Sequence, residues 1–123
     1  ARRAGAGAVV AICPPDASLL LRGLRSGSFD FDADADALAP LLEAIDLPRI
    51  VAALDVPLLL LHAEGDERVP IAASRALAAA GGEGVRLIAV PGGHHRSIQH
   101  DPELQGESLR FLHQALPVAA ELE

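Results

Sequence analysis

Three runs of consecutive apolar residues, each closed by a polar or proline-containing turn, set the pattern of this chain. Residues 8–13 (Ala-Val-Val-Ala-Ile-Cys) stop at Pro14-Pro15, residues 57–62 at the turn Ala63-Glu64-Gly65-Asp66, and residues 85–90 at Pro91-Gly92-Gly93. Short runs without polar alternation predict strands buried on both faces, and strands so buried pair in parallel. Between the second and third runs, Pro70 stands where a helix begins and Gly81-Gly82 where one stops, which predicts a helix over 71–80. The last helix has the fullest signature. Asp101 suits the N-cap and Pro102 the first helical position, while Leu104, Phe111, Leu112, Ala115 and Leu116 share one face at a 3.6 period until Pro117 ends it.

Residues 16–55 are less regular: a Gly/Ser/Arg loop over 22–28, an acidic stretch over 30–36, and a helix over 38–45 broken by Pro48. A connection of this length between two sheet strands is expected to cap a site at the strands' carboxyl ends. Residues 1–7 read as the fraying end of a helix. Three strands are few for a parallel sheet, and the first is expected to present a bare edge where another strand would pair.

Composition narrows the class. At 123 residues the chain is one domain at most, since domains run to roughly 100–200 residues. Ten basic against 17 acidic side chains give a net charge of −7, and aromatic residues are 2%. Nucleic acid is therefore not an expected partner, because neither a phosphate-neutralising surface nor stacking platforms are present. No apolar run approaches the roughly 18 residues needed to span a bilayer, and no leader pattern opens the chain, so no membrane association is expected. The single Cys13 can make no internal disulfide, which fits a reducing cytoplasm.

In an open parallel sheet, ligands bind outside the carboxyl ends of the strands. Asp66 follows the second strand at that end and His95 follows the third, 29 positions later. A strand-helix-strand unit takes about 30 residues, so the spacing returns the chain to the same edge. A carboxylate there can fix the tautomer of the imidazole and stabilise the imidazolium that forms when His95 accepts a proton.

The residues from Val56 through His62-Ala63-Glu64-Gly65-Asp66 to Val69-Pro70 resemble the acid-bearing loop of the α/β-hydrolase superfamily: an apolar strand, His-Gly-x-x-Asp, then x-x-Val-Pro into a helix. Pro91-Gly92-Gly93-His94-His95 is similar to that family's histidine loop, with the catalytic His four positions after the proline, and residues 103–116 are similar to its last helix. Among members, the chain looks most like dienelactone-hydrolase-like and peptidase-like esterases. The resemblance implies an α/β fold of parallel strands with flanking helices. It makes residues 1–123 the carboxyl-terminal portion of such a domain, with a cap-like connection over 16–55 and the acid and histidine loops within 56–116. It implies Asp66 and His95 as acid and base of a Ser-His-Asp triad acting on a small-molecule ester, with no cofactor. Ala63 replaces the usual glycine, and no G-x-S-x-G nucleophile elbow is present: Gly23-Leu24-Arg25-Ser26-Gly27 has its serine one position late and follows no strand. The implied serine and oxyanion hole lie upstream of Ala1, and the bare edge is expected to meet that missing half or to self-associate.

Each assignment has a rival. Asp66 could be a turn former capping the next helix, and His94 could be the base instead of His95. His62, at a strand end, reads as structural and His113 as a solvated helix residue. His94, His95, His100 and Asp101 cluster locally, but without cysteine pairs or an H-E-x-x-H helix they do not make a zinc site. Asp32, Asp34, Asp36 and Glu43 fall at calcium-loop positions one, three, five and twelve, yet Ala37 stands where the loop needs glycine. Cys13 reads as a small core residue. A non-catalytic α/β module serving binding or assembly remains the alternative, and a strand followed by G-x-S-x-G upstream would decide against it.

Overall fold

The computed structural model describes residues 5–30 and 32–116. In chain order the elements are β1 (Val9–Ile12), α1 (Ala17–Ser26), α2 (Ala35–Glu43), α3 (Leu47–Ala52), β2 (Leu58–Ala63), α4 (Ala72–Gly81), β3 (Val85–Val90) and α5 (Pro102–Ala115), with 3-10 turns at Gly82–Gly84 and Ile98–His100. The three strands form a parallel sheet in the order β1-β2-β3, with Leu58 opposite both Val9 and Val85.

Alternation along β2 divides the core in two. Leu59, Leu61 and Ala63 face one side, where they meet Ile98 of the second 3-10 turn and Leu104 of α5. Leu58 and Leu60 face the other, against Val51 of α3 and Leu77 of α4. Every residue of β2 is buried, as an uninterrupted apolar run requires when helices cover both faces. The expected two-face burial of the other strands is not met. Both β1 and β3 are mostly half-buried, because each lies at an edge of the described sheet, and Ile12 is 39% exposed.

The region 16–55 differs most from expectation. Residues 22–26, expected as loop, are the last turns of α1. Asp16 caps the helix by accepting from Leu19 N–H at 2.6 Å, and a Schellman turn closes it, with Ser28 N–H donating to the Gly23 carbonyl at 3.0 Å. Gly23 is there for packing rather than for turning: a Cβ at that position would lie 2.6 Å from the Phe29 ring. Similarly, α2 begins three residues before the expected 38–45 helix, on an Asp34 cap that accepts from Ala37 N–H, and it carries Pro40 inside it. Pro48 does not break a helix but opens α3 behind the Asp46 cap, at the helical start where a missing N–H costs nothing. The helix end expected over 1–7 falls largely outside the described residues, as does the Pro117 stop. Among the described residues, no helix is long and apolar enough to cross a membrane.

Candidate active site

Beyond its last residue, β2 runs straight into the loop that carries Asp66, and the rungs of the sheet continue past the strands. Glu64 N–H donates to the Val90 carbonyl and Gly65 N–H to the Gly92 carbonyl, each at 2.8 Å. The two loops touch backbone to backbone at Gly65. A Cβ there would lie 2.5 Å from the Gly93 oxygen, so only glycine allows the approach. Gly92 and Gly93 both take positive φ, which folds the chain back toward Asp66. Ser97 then shapes the loop by accepting from His94 N–H and donating to the His94 carbonyl.

Asp66 is held from two sides. Its Oδ1 accepts from Arg68 N–H at 2.8 Å and Val69 N–H at 2.7 Å, while Oδ2 accepts from His95 Nδ1 at 2.8 Å. The Asp66 side chain has no exposed surface, against 22% for that of His95. Burial pushes the carboxyl up, but the Val69 N–H, the His95 ring, the Arg68 N–H and the Cys13 thiol outweigh it and hold it down at about 2, against 3.8 for an ordinary aspartate. The ring that meets Asp66 belongs to His95. That of His94 is 78% exposed and lies 3.6 Å from Glu67. Because Nδ1 of His95 donates to the carboxylate, Nε2 is the nitrogen left able to accept a proton, and the ring borders an open cavity.

A fully buried histidine braces the acid loop. The Val69 carbonyl can only accept, so His62 carries its proton on Nε2 and donates to it at 2.8 Å. Nδ1 then accepts from the Ser74 hydroxyl of α4 at 2.7 Å. His62 thus fixes the carbonyl side of a residue whose N–H side helps hold Asp66. Its Nε2 is also 3.4 Å from Asp66 Oδ2.

Sequence reasoning missed one neighbour. Cys13 is 1% exposed, as a core residue should be, but it leaves β1 with φ of 48°, a conformation that L residues avoid. Its sulfur, an Asp66 oxygen and a His95 nitrogen lie within 4.8 Å of one another. Burial, partly offset by the Ala63 backbone, together with the Asp66 carboxylate, pushes this thiol up to about 11. It is therefore a neutral thiol at physiological pH. Its place at the carboxyl end of a strand was the one available signal. The remaining candidates have other uses. Asp34 caps α2, Asp36 lies in the first turn of that helix, Glu43 pairs with Arg25, and Asp101 caps α5. Ser26, in the near-miss of an elbow, ends α1 and bonds the Gly23 carbonyl. His113 is exposed on α5.

The cavity beside His95 measures about 580 Å³ and lies between α1, Phe29 and the acid loop. That volume is within the usual range for a small-molecule site.

No protein-family profile matches the sequence, and none of the curated proteins does. Solved structures do. Est1E from Butyrivibrio proteoclasticus superposes with a TM-score of 0.61 at 19% identity over 92% of this chain and 51% of its own. The same protein with ferulic acid bound gives a TM-score of 0.66 at 21% identity, over 93% and 51%. The esterase Pf2001 of Pyrococcus furiosus gives 0.58 at 20%, over 87% of this chain and 43% of its own. The chain accordingly has the α/β-hydrolase fold of these esterases and spans about half their length, in agreement with the carboxyl-terminal portion of such a domain.

Proposed function

We propose that this chain supplies the acid and base of a serine hydrolase acting on carboxylic esters, with Asp66 as the acid and His95 as the base. The nucleophilic serine and the oxyanion hole come from chain outside these 123 residues, and 16–55 caps the cleft. The observation that carries the reading is the 2.8 Å bond from His95 Nδ1 to an Asp66 carboxylate withdrawn from solvent, with the same imidazole bordering a cavity of substrate size.

In the reaction, Nε2 of His95 takes the proton from the serine hydroxyl as its oxygen attacks the ester carbonyl. The imidazolium so formed is stabilised by Asp66, then gives its proton to the departing alcohol. Water enters and attacks the acyl-enzyme carbonyl as Nε2 removes its proton, and the imidazolium returns that proton to the departing serine oxygen as the acid is released. Asp66 stays ionised throughout, which its low pKa supports.

The test is hydrolysis of 4-nitrophenyl esters by this chain joined to its nucleophile-bearing segment. His95→Ala is expected to abolish turnover and His94→Ala to lower it only a few-fold. The reverse order would move the base to His94. The 123-residue chain alone is expected to resist fluorophosphonate labelling, so a stoichiometrically labelled serine within it would overturn the placement of the nucleophile elsewhere.

A further inference from the structure

The cavity beside His95 has a charge character that the rest of the chain does not share. The chain carries a net charge of −7, yet the described lining of this cavity includes Arg22 and Arg68 and no carboxylate. Leu19, Leu20, Phe29 and Val69 supply an apolar wall. The two arginines come from separate parts of the fold, Arg22 from α1 and Arg68 from the acid loop. The backbone N–H of Arg68 is spent on Asp66 at 2.8 Å, but neither guanidinium has a hydrogen-bond or ion-pair partner among the described residues. Asp66 cannot neutralise them from within the cavity, since its side chain has no exposed surface and is already committed to His95 and two backbone donors.

Two unpartnered guanidinium forks at an apolar cavity that contains the proposed base fit one kind of ligand well. We propose that the substrate is an ester whose apolar acyl part ends in a carboxylate, with Arg22 and Arg68 receiving the carboxylate and the apolar wall receiving the chain between it and the scissile carbonyl. This inference rests on the ester-hydrolase reading and adds to it the substrate class. A carboxylate offers two oxygens in the plane that a guanidinium fork matches, and a charge-assisted bond is the stronger kind. A neutral acyl chain would leave both cations paired with water alone. The structure thus separates the roles along the cavity, with proton transfer at His95 and recognition of charge at α1 and residue 68.

The experiment compares mono-4-nitrophenyl glutarate with its neutral methyl ester, 4-nitrophenyl methyl glutarate, on the chain joined to its nucleophile-bearing segment. The ratio of the two kcat/KM values is the readout. The parent should favour the acid by about tenfold or more, the size expected of a hydrogen-bonded charge contact. Arg22→Gln and Arg68→Gln should each bring the ratio toward one, with Arg22→Lys and Arg68→Lys in between, and raised salt should reduce it. Both side chains are exposed, so urea midpoints should stay near the parent's. In parallel, binding of 5-phenylpentanoate and of 5-phenylpentanamide is followed by NMR at the His95 ring, which needs no turnover. Hydrolysis of both esters at a ratio near one, with the acid and amide binding alike, overturns the carboxylate proposal and leaves the ester reading standing. Absence of hydrolysis together with arginine-dependent preference for the acid overturns the ester reading and supports the anion site. No preference in either assay overturns the proposal outright.

Discussion

Replacing Asp66 by Asn exchanges one carboxylate oxygen for an amide nitrogen, and the neighbours dictate which one. Oδ1 receives two backbone N–H groups, at 2.8 and 2.7 Å, so an oxygen must stay there. The amide nitrogen therefore takes the place of Oδ2, where it faces His95 Nδ1 at 2.8 Å and the donating Nε2 of His62 at 3.4 Å. An N–H now points at His95, which must offer a bare Nδ1 and move its proton to Nε2. In the proposed reaction that is the nitrogen that has to accept a proton, and in the serine-protease precedent for this substitution the rate falls about 10⁴-fold. The stability effect follows from linkage. A carboxyl held at about 2 against 3.8 contributes about 2 kcal/mol to the folded state. Its folded value lies below its unfolded one, so the contribution is fully present above the ordinary aspartate range and is lost as pH falls through about 2. The Asn variant should thus unfold roughly 1 M earlier in urea at pH 7, with the gap closing toward pH 2. Ring ¹⁵N shifts of His95 should change from the Nδ1–H to the Nε2–H form. An Asn variant that matches the parent's urea midpoint at pH 7, or whose ring keeps its proton on Nδ1, would refute this account of the site.

Two further substitutions probe what holds the pair. Gly65→Ala puts a carbon 2.5 Å from the Gly93 oxygen, and since that neighbour is backbone the loops must part. A loss of about 1–3 kcal/mol in urea unfolding, with weakened contact between His95 and Asp66 by NMR, is expected. Ser74→Ala removes the donor to buried His62 and should cost about 1–3 kcal/mol by the same measurement. A Ser74→Ala chain as stable as its parent would show that the hydroxyl is not what satisfies His62.

The elements flanking the acid and histidine loops were legible because their signals are local. β2 and β3 are unbroken apolar runs, and α4 and α5 sit close to the proline, glycine and aspartate positions that bound them. The helix α1 was not legible, because Gly23, Ser26 and Gly27 are also the composition of a loop. Gly23 sits in the helix because the ring of Phe29 lies where a Cβ would be, and that packing is not visible in composition. The spacing of Asp66 and His95 could be read from the length of one strand-helix-strand passage. The approach of Cys13 could not, since it depends on a positive φ at the strand end. Nor could the placing of Arg22 and Arg68 on one cavity, which depends on how α1 lies beside the acid loop.

The extra rungs that join the two loops tie the geometry of the site to the sheet. The imidazole is registered against its carboxylate by contacts made within residues 62–97, so its orientation is set by β2, α4 and β3. In the proposed reaction, a nucleophile brought to this edge meets a proton acceptor already fixed in direction, and the adjustment of fit falls on the incoming side. The proposed acid and base form a single cassette whose aim is inherited from the sheet. A displacement of β3 relative to β2 would carry the two loops out of step, and errors in strand register would then become errors in the proposed proton transfer.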